Sequence, residues 1–227
     1  MDRVKEHFEE EAIEFDSTIL KLVPHYPQMI EALVSVIPFE KKDQIKIIDL
    51  GSGTGYISMK LKEAFPNSII TCLDFAENMI AQSKLRLEKY KDVNYLLADI
   101  REFEFDKNYH AVVSSLTLHH LETKKDKIKF YKKVFESLES GGVFYNADIV
   151  LGSNDFLNKT YVSRWKEFMA KSIPEEEIEN KWMVTHYKED RPEILLEQIE
   201  WIKNIGFEDV DIVWKYYNFA VYGGIKP

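Results

Sequence analysis

Cysteine is almost missing from this chain: Cys72 is the single one in 227 residues. An intrachain disulfide is excluded, and a reducing compartment fits. Long apolar runs are missing too; none approaches the ~18 residues that a membrane-spanning helix needs. The start, Met1-Asp2-Arg3-Val4-Lys5-Glu6-His7, does not resemble a signal peptide. Positive charge is in deficit, with 30 Lys and Arg against 39 Asp and Glu and a formal charge of -9. Such a surface repels a phosphate backbone unless a basic patch offsets it. Lys124, Lys125, Lys127 and Lys129 are only scattered among acids. Nucleic acid and membrane are therefore not the expected partners, and a cytoplasmic protein is. Neither internal repeats nor low-complexity tracts are visible.

What is present is enough apolar material, 45% of residues, for one well-filled core. Short apolar runs alternate with helical patterns. Ile45–Leu50, Ser68–Asp74, Val93–Leu97, Tyr109–Ser115 and Val143–Ile149 read as strands. Helices are expected over Tyr56–Ala64, Glu77–Lys89 and Lys125–Leu138, the last stopped by Gly141-Gly142. Phe207–Val213 and Tyr216–Gly223 read as closing antiparallel strands joined by Trp214-Lys215. This alternation predicts an α/β fold, a mostly parallel sheet covered on both faces. Residues 1–38 and 152–190 fall outside the rhythm, and read as a helical lead-in and a helical lid over the strand ends.

The chemistry concentrates in Asp49-Leu50-Gly51-Ser52-Gly53-Thr54-Gly55, between the first strand and its helix. Gly51 and Gly53 let the backbone turn sharply and approach a ligand. Asp74 ends the next strand, 19 residues past Gly55, where a carboxylate accepts hydrogen bonds from two ribose hydroxyls. Both NAD and S-adenosylmethionine (SAM) carry such a ribose. A dinucleotide loop continues Gly-x-Gly-x-x-Gly, whereas Tyr56, Ile57 and Ser58 follow here. Asp49 at the end of a strand suits the cationic amino-acid end of SAM, because a buried charge needs a partner.

Taken together, IIDLGSGTG, ITCLDFAENMI, LLADIREF, HAVVSSLTLHHL and LESGGVFYNAD resemble the class I SAM-dependent methyltransferases. The resemblance covers residues 40–150 and the closing strands. It implies a Rossmann-like three-layer sandwich with a seven-stranded mostly parallel sheet, last strand antiparallel, as a single domain over residues 1–227. It also implies SAM as cofactor, with Asp74 on the ribose, Asp99 at the adenine amine, and Ile100 and Met79 on either side of the ring. Ser52, Phe75 and Ser115 complete that set, and Tyr26, between Pro24 and Pro27, closes over the methionine end.

Residues 12–30 and the ending Tyr216–Ala220 resemble a narrower group, the carboxy-SAM synthases and nearby methyltransferases. Those synthases hold the carboxylate derived from prephenate with an arginine expected on the helix before Gly206-Phe207. This chain has Glu200-Trp201-Ile202-Lys203 there, and Arg164 and Arg191 do not fit the pattern. Methyl transfer to a small-molecule acceptor is therefore expected ahead of carboxy-SAM synthesis. A non-catalytic SAM-binding module and an NAD-dependent oxidoreductase are weaker alternatives, and monomer and homodimer are both open.

For the reaction itself, His119 after the fourth strand is the expected base, ahead of His120. Asp148 and His186 are expected to join it if the lid folds back. Such a trio would suit a divalent metal, but no short ligand spacing marks one and no metal is assigned. Trp165, Phe168, Trp182 and Tyr187 are candidates to line an apolar acceptor pocket, with Tyr161 and Arg164 adding polar reach.

Overall fold

A computed structural model describes residues 9, 12–106 and 108–227. Two helices, α1 (Phe15–Leu22) and α2 (Tyr26–Ser35), precede the first strand. The repeating part follows as β1 (Lys46–Leu50), α3 (Tyr56–Ala64), β2 (Ile69–Asp74), α4 (Glu77–Leu87), β3 (Val93–Leu97) and β4 (Tyr109–Ser115). After a 3₁₀ turn, Leu118–His120, come α5 (Lys124–Ser137) and β5 (Leu138–Ile149). Next, α6 (Asp155–Met169) leads to α7 (Glu175–Glu177), which passes through a π turn, Ile178–Trp182, into α8 (Met183–Glu189). The chain closes with α9 (Leu195–Ile205), β6 (Glu208–Tyr216) and β7 (Phe219–Ile225).

The seven strands form one sheet in the order β3-β2-β1-β4-β5-β7-β6. The first five are parallel, and β7 lies antiparallel between β5 and β6. The expected Rossmann-like sheet is the one found. Period-two alternation sorts its side chains between two cores. Ile47, Ile70, Val113 and Val143 face α2 and α3, whereas Ile48, Leu73, Val112 and Phe144 face α5 and α9. Strand order reverses between β1 and β4, and the crevice at their carboxyl ends is where such sheets bind ligands. Among the described residues, no helix is long and apolar enough to cross a membrane.

The segments outside the repeat pack on one face. Ile19, Met29 and Leu33 of α1 and α2 share a core with Trp165, Met169, Trp182 and Met183. Trp165 Nε1 donates to the Leu22 carbonyl at 2.6 Å, and its ring meets Phe219 edge-on at 5.5 Å. Trp165→Phe keeps an aromatic ring but strands that carbonyl, so unfolding stability is expected to fall by about 2 kcal/mol. A urea midpoint within error of the parent would show that Trp165 does not tie α6 to α1.

Three local expectations are corrected. Helix α5 stops at Ser137, and Gly141-Gly142 fall inside β5. Gly141, at φ 79°, serves the irregularity where β5 shifts register against β4, not a helix cap. The closing hairpin turns at Tyr217-Asn218, because Trp214, Lys215 and Tyr216 pair with Val221, Ala220 and Phe219. Tyr217 takes φ 48° there, with its carbonyl held by Lys215 Nζ at 2.5 Å and that of Asn218 by Val150 N at 2.8 Å. Finally, Leu85 of α4 is exposed, although the pattern placed it among the apolar positions.

Candidate active site

The loop after β1 is built for close approach. Gly51, Gly53 and Gly55 all have positive φ, at 67°, 52° and 79°. A Cβ on Gly51 would lie 2.1 Å from Thr117 Oγ1, so the loop and the segment after β4 can touch only through a glycine. Asp74 holds the loop from the neighbouring strand. Its Oδ2 accepts from Gly53 N at 2.8 Å, and its Oδ1 accepts from Ala76 N at 3.0 Å. Burial pushes its carboxyl up to about 6.

A cleft of about 780 Å³ opens over this loop. Tyr26, Gly51, Ser52, Gly53, Asp74, Phe75, Met79, Asp99, Ile100 and Ser115 all line it. Thus ten of the eleven expected cofactor positions line one cleft. Asp49 is the exception and lies behind that wall, completely buried. Strand alternation turns it toward α3, where its Oδ2 accepts from Ser58 Oγ at 2.7 Å. Its Oδ1 has no hydrogen-bond partner among the described residues, nor do the buried Ser52 Oγ and Ser115 Oγ. Burial pushes the Asp49 carboxyl up to about 7, and the nearby Asp74 adds to the rise. Asp99 is held differently, by a fork from Arg101 Nε at 3.0 Å and Nη2 at 2.6 Å. Burial raises its pKa, but Arg101 outweighs that and leaves the carboxyl below its ordinary value.

The helical lead-in is tied to this wall. Glu9 accepts from Glu77 N at 2.7 Å and Asn78 N at 2.8 Å, satisfying donors at the start of α4. Arg86 of α4 ion-pairs with Asp16 of α1 and donates to the Thr54 carbonyl at 3.0 Å.

A second cleft, about 830 Å³, adjoins the first and shares Phe15, Leu116 and His120 with it. Leu116 sits in the left-handed region at φ 50°, and this sparsely populated geometry redirects the chain from β4 into the 3₁₀ turn that carries both histidines. Trp165 and Trp182 line the second cleft as expected, along with His119, His186 and Asp190. Tyr187 is instead exposed, and Phe168 packs against the core.

His119 is clamped between carboxylates. Its Nδ1 lies 2.5 Å from Asp148 Oδ1, and its Nε2 lies 3.4 Å from Asp190 Oδ1. Burial lowers the imidazole pKa, but the two acids outweigh it and hold it up at about 10. Both ring nitrogens of His119 thus face carboxylates, so the structure does not present it as the free general base that the sequence suggested. Asp148 lines neither cleft. Its Oδ2 accepts from His119 N at 3.1 Å and from Asn146 Nδ2 at 3.1 Å, so it positions His119 from behind. His186 does converge on the group, but through Asp190, whose Oδ2 lies 2.7 Å from His186 Nδ1. His120 stacks on His119 with ring centroids 4.1 Å apart, and burial, with the charge on His119, pushes it down to about 3.

Asp190 is the residue that sequence reasoning missed. Three histidines surround it, and the charge of His119, with hydrogen bonds from His119 and His186, holds its carboxyl well below the usual carboxylate range despite burial. The available signal was His186-x-x-x-Asp190, a pair four residues apart at a helix end. Buried Lys127 was missed as well. Its Nζ donates to the carbonyls of Leu121 at 2.5 Å and His119 at 3.4 Å, stapling the 3₁₀ turn to α5.

The sheet order, the glycine loop and the acidic cleft together define a class I SAM-dependent methyltransferase fold. Residues 47–142 match the methyltransferase domain family. Along nearly its whole length the chain is similar to the carboxy-S-adenosyl-L-methionine synthase of Nautilia profundicola, with 27% identity over 96% of this chain and 93% of that protein. It is 39% identical over 95 residues to the malonyl-[acyl-carrier protein] O-methyltransferase of Bacillus cytotoxicus, covering 41% of this chain and 33% of that protein. The chain thus spans nearly all of one relative and a third of the other. Among solved structures, the complex of the Haloferax volcanii Trm112 methyltransferase activator with a methyltransferase matches at TM-score 0.70 and 15% identity, over 97% of both chains. The Haemonchus contortus phosphoethanolamine N-methyltransferase 2 bound to SAM matches at 0.61 and 17% identity, over 89% of this chain and 53% of that one. At such identities these likenesses show the fold. The chain is thus similar to SAM-dependent methyltransferases in its central domain sequence and in its fold.

Proposed function

We propose that this enzyme transfers the methyl group of SAM to a small-molecule acceptor and releases S-adenosylhomocysteine, as a single domain whose lead-in and lid cover the site. The observation that carries this reading is the pair of adjoining clefts that meet at Phe15, Leu116 and His120, one glycine-walled with Asp74 and Asp99, the other with aromatic walls and the histidine–Asp190 cluster. The first suits a cation. Asp74 and Asp99 stand on its wall, Asp49 is buried behind it, and Ser52 Oγ and Ser115 Oγ are buried hydroxyls with no hydrogen-bond partner among the described residues. Such orphaned groups in a native site call for a ligand.

In this reading Asp74 receives the ribose hydroxyls, Phe75, Met79 and Ile100 enclose the adenine, and Asp99 faces its amine. Tyr26 and Ser115 hold the methionine end, and Asp49 supplies charge through the loop. When bound, SAM supplies an electrophilic sulfonium methyl, whose carbon–sulfur bond electrons return to sulfur as the acceptor's lone pair forms the new bond. The protein's part is alignment and exclusion of water. Trp165, Trp182 and Ile149 give the acceptor an apolar wall, and the histidine cluster gives it a polar end. The single buried Cys72 suits a reducing, cytoplasmic setting.

A second reading is carboxy-SAM synthesis from SAM and prephenate, favoured by the similarity along the whole chain. It needs a cation for the substrate carboxylates, and among the described residues no Lys or Arg lines either cleft. Arg191 is spent on the carbonyls of Asp190 and Lys188, and Arg164 pairs with Glu167. Mass spectrometry of the nucleotide formed from SAM, with an acceptor panel and with prephenate, separates the readings. S-adenosylhomocysteine with a methylated acceptor supports the first; a carboxylated sulfonium made only with prephenate overturns it.

A further inference from the structure

His119, His120 and Asp190 bring three ligand-type atoms within 4.8 Å of one another where the two clefts join. We propose that these three residues bind a divalent transition-metal ion, with an open coordination position turned toward the acceptor. Asp190 Oδ1 lies 3.4 Å from His119 Nε2 and 3.6 Å from His120 Nδ1. Those separations are long for charge-assisted hydrogen bonds, which run at ~2.7–2.9 Å. They suit neighbouring ligands around one ion, since metal–nitrogen and metal–oxygen bonds of ~2.0–2.1 Å in a tetrahedral site place ligand atoms about 3.3 Å apart. His120 Nδ1 also lies 3.4 Å from the Glu189 carbonyl, a contact that the ion would replace.

The surroundings have the form of a supporting shell. A metal-binding histidine characteristically gives its other nitrogen to a carboxylate, which fixes the ring and strengthens the ligand. His119 does this through Nδ1 to Asp148 Oδ1 at 2.5 Å. Asp148 is itself held by Asn146 Nδ2 at 3.1 Å, and Asn146 donates to Tyr222 Oη at 2.9 Å. On the other side, His186 Nδ1 lies 2.7 Å from Asp190 Oδ2, which leaves Oδ1 directed at the ion. Two imidazoles and one carboxylate suit zinc or ferrous iron, and three protein ligands with an open fourth position mark a site that binds substrate. The ion would bind His119 through Nε2, the nitrogen that faces Asp190. It would hold an acceptor hydroxyl or thiol and lower its pKa beside the methyl donor. That use rests on the methyl-transfer reading; the existence of the site does not.

The test uses the full chain after chelator treatment, titrated with Zn²⁺ by calorimetry and with Co²⁺ by visible absorption. One equivalent of Zn²⁺ is expected to bind with a dissociation constant of about 1 µM or lower. Co²⁺ should give the intense bands of a low-coordinate site. Asp190→Asn and His120→Gln should each weaken Zn²⁺ binding by about 100-fold or more, and Asp148→Asn by ~10–100-fold. Should Asp190→Asn fail to fold, His120→Gln and the Co²⁺ spectrum of the unaltered protein carry the test. Absence of Zn²⁺ uptake by that protein, or affinity unchanged in the folded variants, overturns the proposal. SAM is titrated separately: failure to bind it would sink the methyl-donor reading and leave the zinc result standing.

Discussion

Asp74→Ala is expected to weaken SAM binding by about 100-fold or more, with hydrogen bonds to a charged group contributing ~1.5–3 kcal/mol each. Two losses combine. In the proposed complex both ribose hydroxyls lose their acceptor. In the protein itself, Gly53 N and Ala76 N lose theirs, and the first of these donors shapes the glycine loop. Asp74→Asn is a sharper probe because it keeps the size. An amide offers one acceptor oxygen and one NH₂ group, so it must point a donor at Gly53 N or Ala76 N. It should lose at least ~10-fold in affinity, and its unfolding stability should fall by no more than the ~1–3 kcal/mol of one unpaired backbone N–H. Calorimetry with SAM and with S-adenosylhomocysteine measures both. Affinity within threefold of the parent in both variants would remove Asp74 from the cofactor site.

The cofactor cleft was legible because its parts obey local rules. The loop glycines follow a strand and precede a helix, and the acid at 74 ends the next strand. Parallel pairing then brings Leu50 and Leu73 into register and the two strand ends together. The closing strands were readable as a pair, but their turn was not. No Gly marks it, and tertiary contacts from Val150 and Lys215 fix Tyr217-Asn218 instead. The acceptor side was harder for a different reason. His119 and Asp190 are 71 positions apart in sequence and meet only when α8 returns across the strand ends, where Arg191 N donates to the His119 carbonyl at 3.0 Å. Periodicity reports which face of an element is buried; it carries no information on which distant acid neutralises a buried histidine. Asp148 shows the same limit. Its place at the end of β5 was readable, but pleat parity turned it with Asn146 toward Tyr222, away from the clefts.

Asp49 gives the second large expected effect, and it appears as pH dependence. Its carboxyl titrates at about 7 in the fold against an ordinary 3.8, because burial disfavours the anion. A folded pKa above the unfolded one means that the native state binds the proton more tightly. The corresponding stability is fully present below about pH 4 and is lost as pH rises through 7, by up to about 4 kcal/mol. Asp74, raised to about 6, adds in the same direction. Measured against Asp49→Asn, the parent should therefore lose stability from pH 4 to pH 8, read as a widening gap between the two urea midpoints; the depressed His120 opposes the fall in the parent below about pH 6.5 and cancels in that comparison. Asp49→Asn keeps an acceptor for Ser58 and removes the titration, so it should be the more stable protein at pH 8 and lose this advantage toward pH 4. SAM reverses the penalty, since a bound cation favours the Asp49 anion and draws its pKa back down. Near pH 7, SAM binding should then release about half a proton, seen by calorimetry in buffers of different ionisation enthalpy. In Asp49→Asn this release should shrink and SAM affinity should fall, because the cleft has lost the charge behind its wall. Equal proton release in both proteins, with parallel pH–stability curves, would leave Asp49 as no more than a structural partner of Ser58.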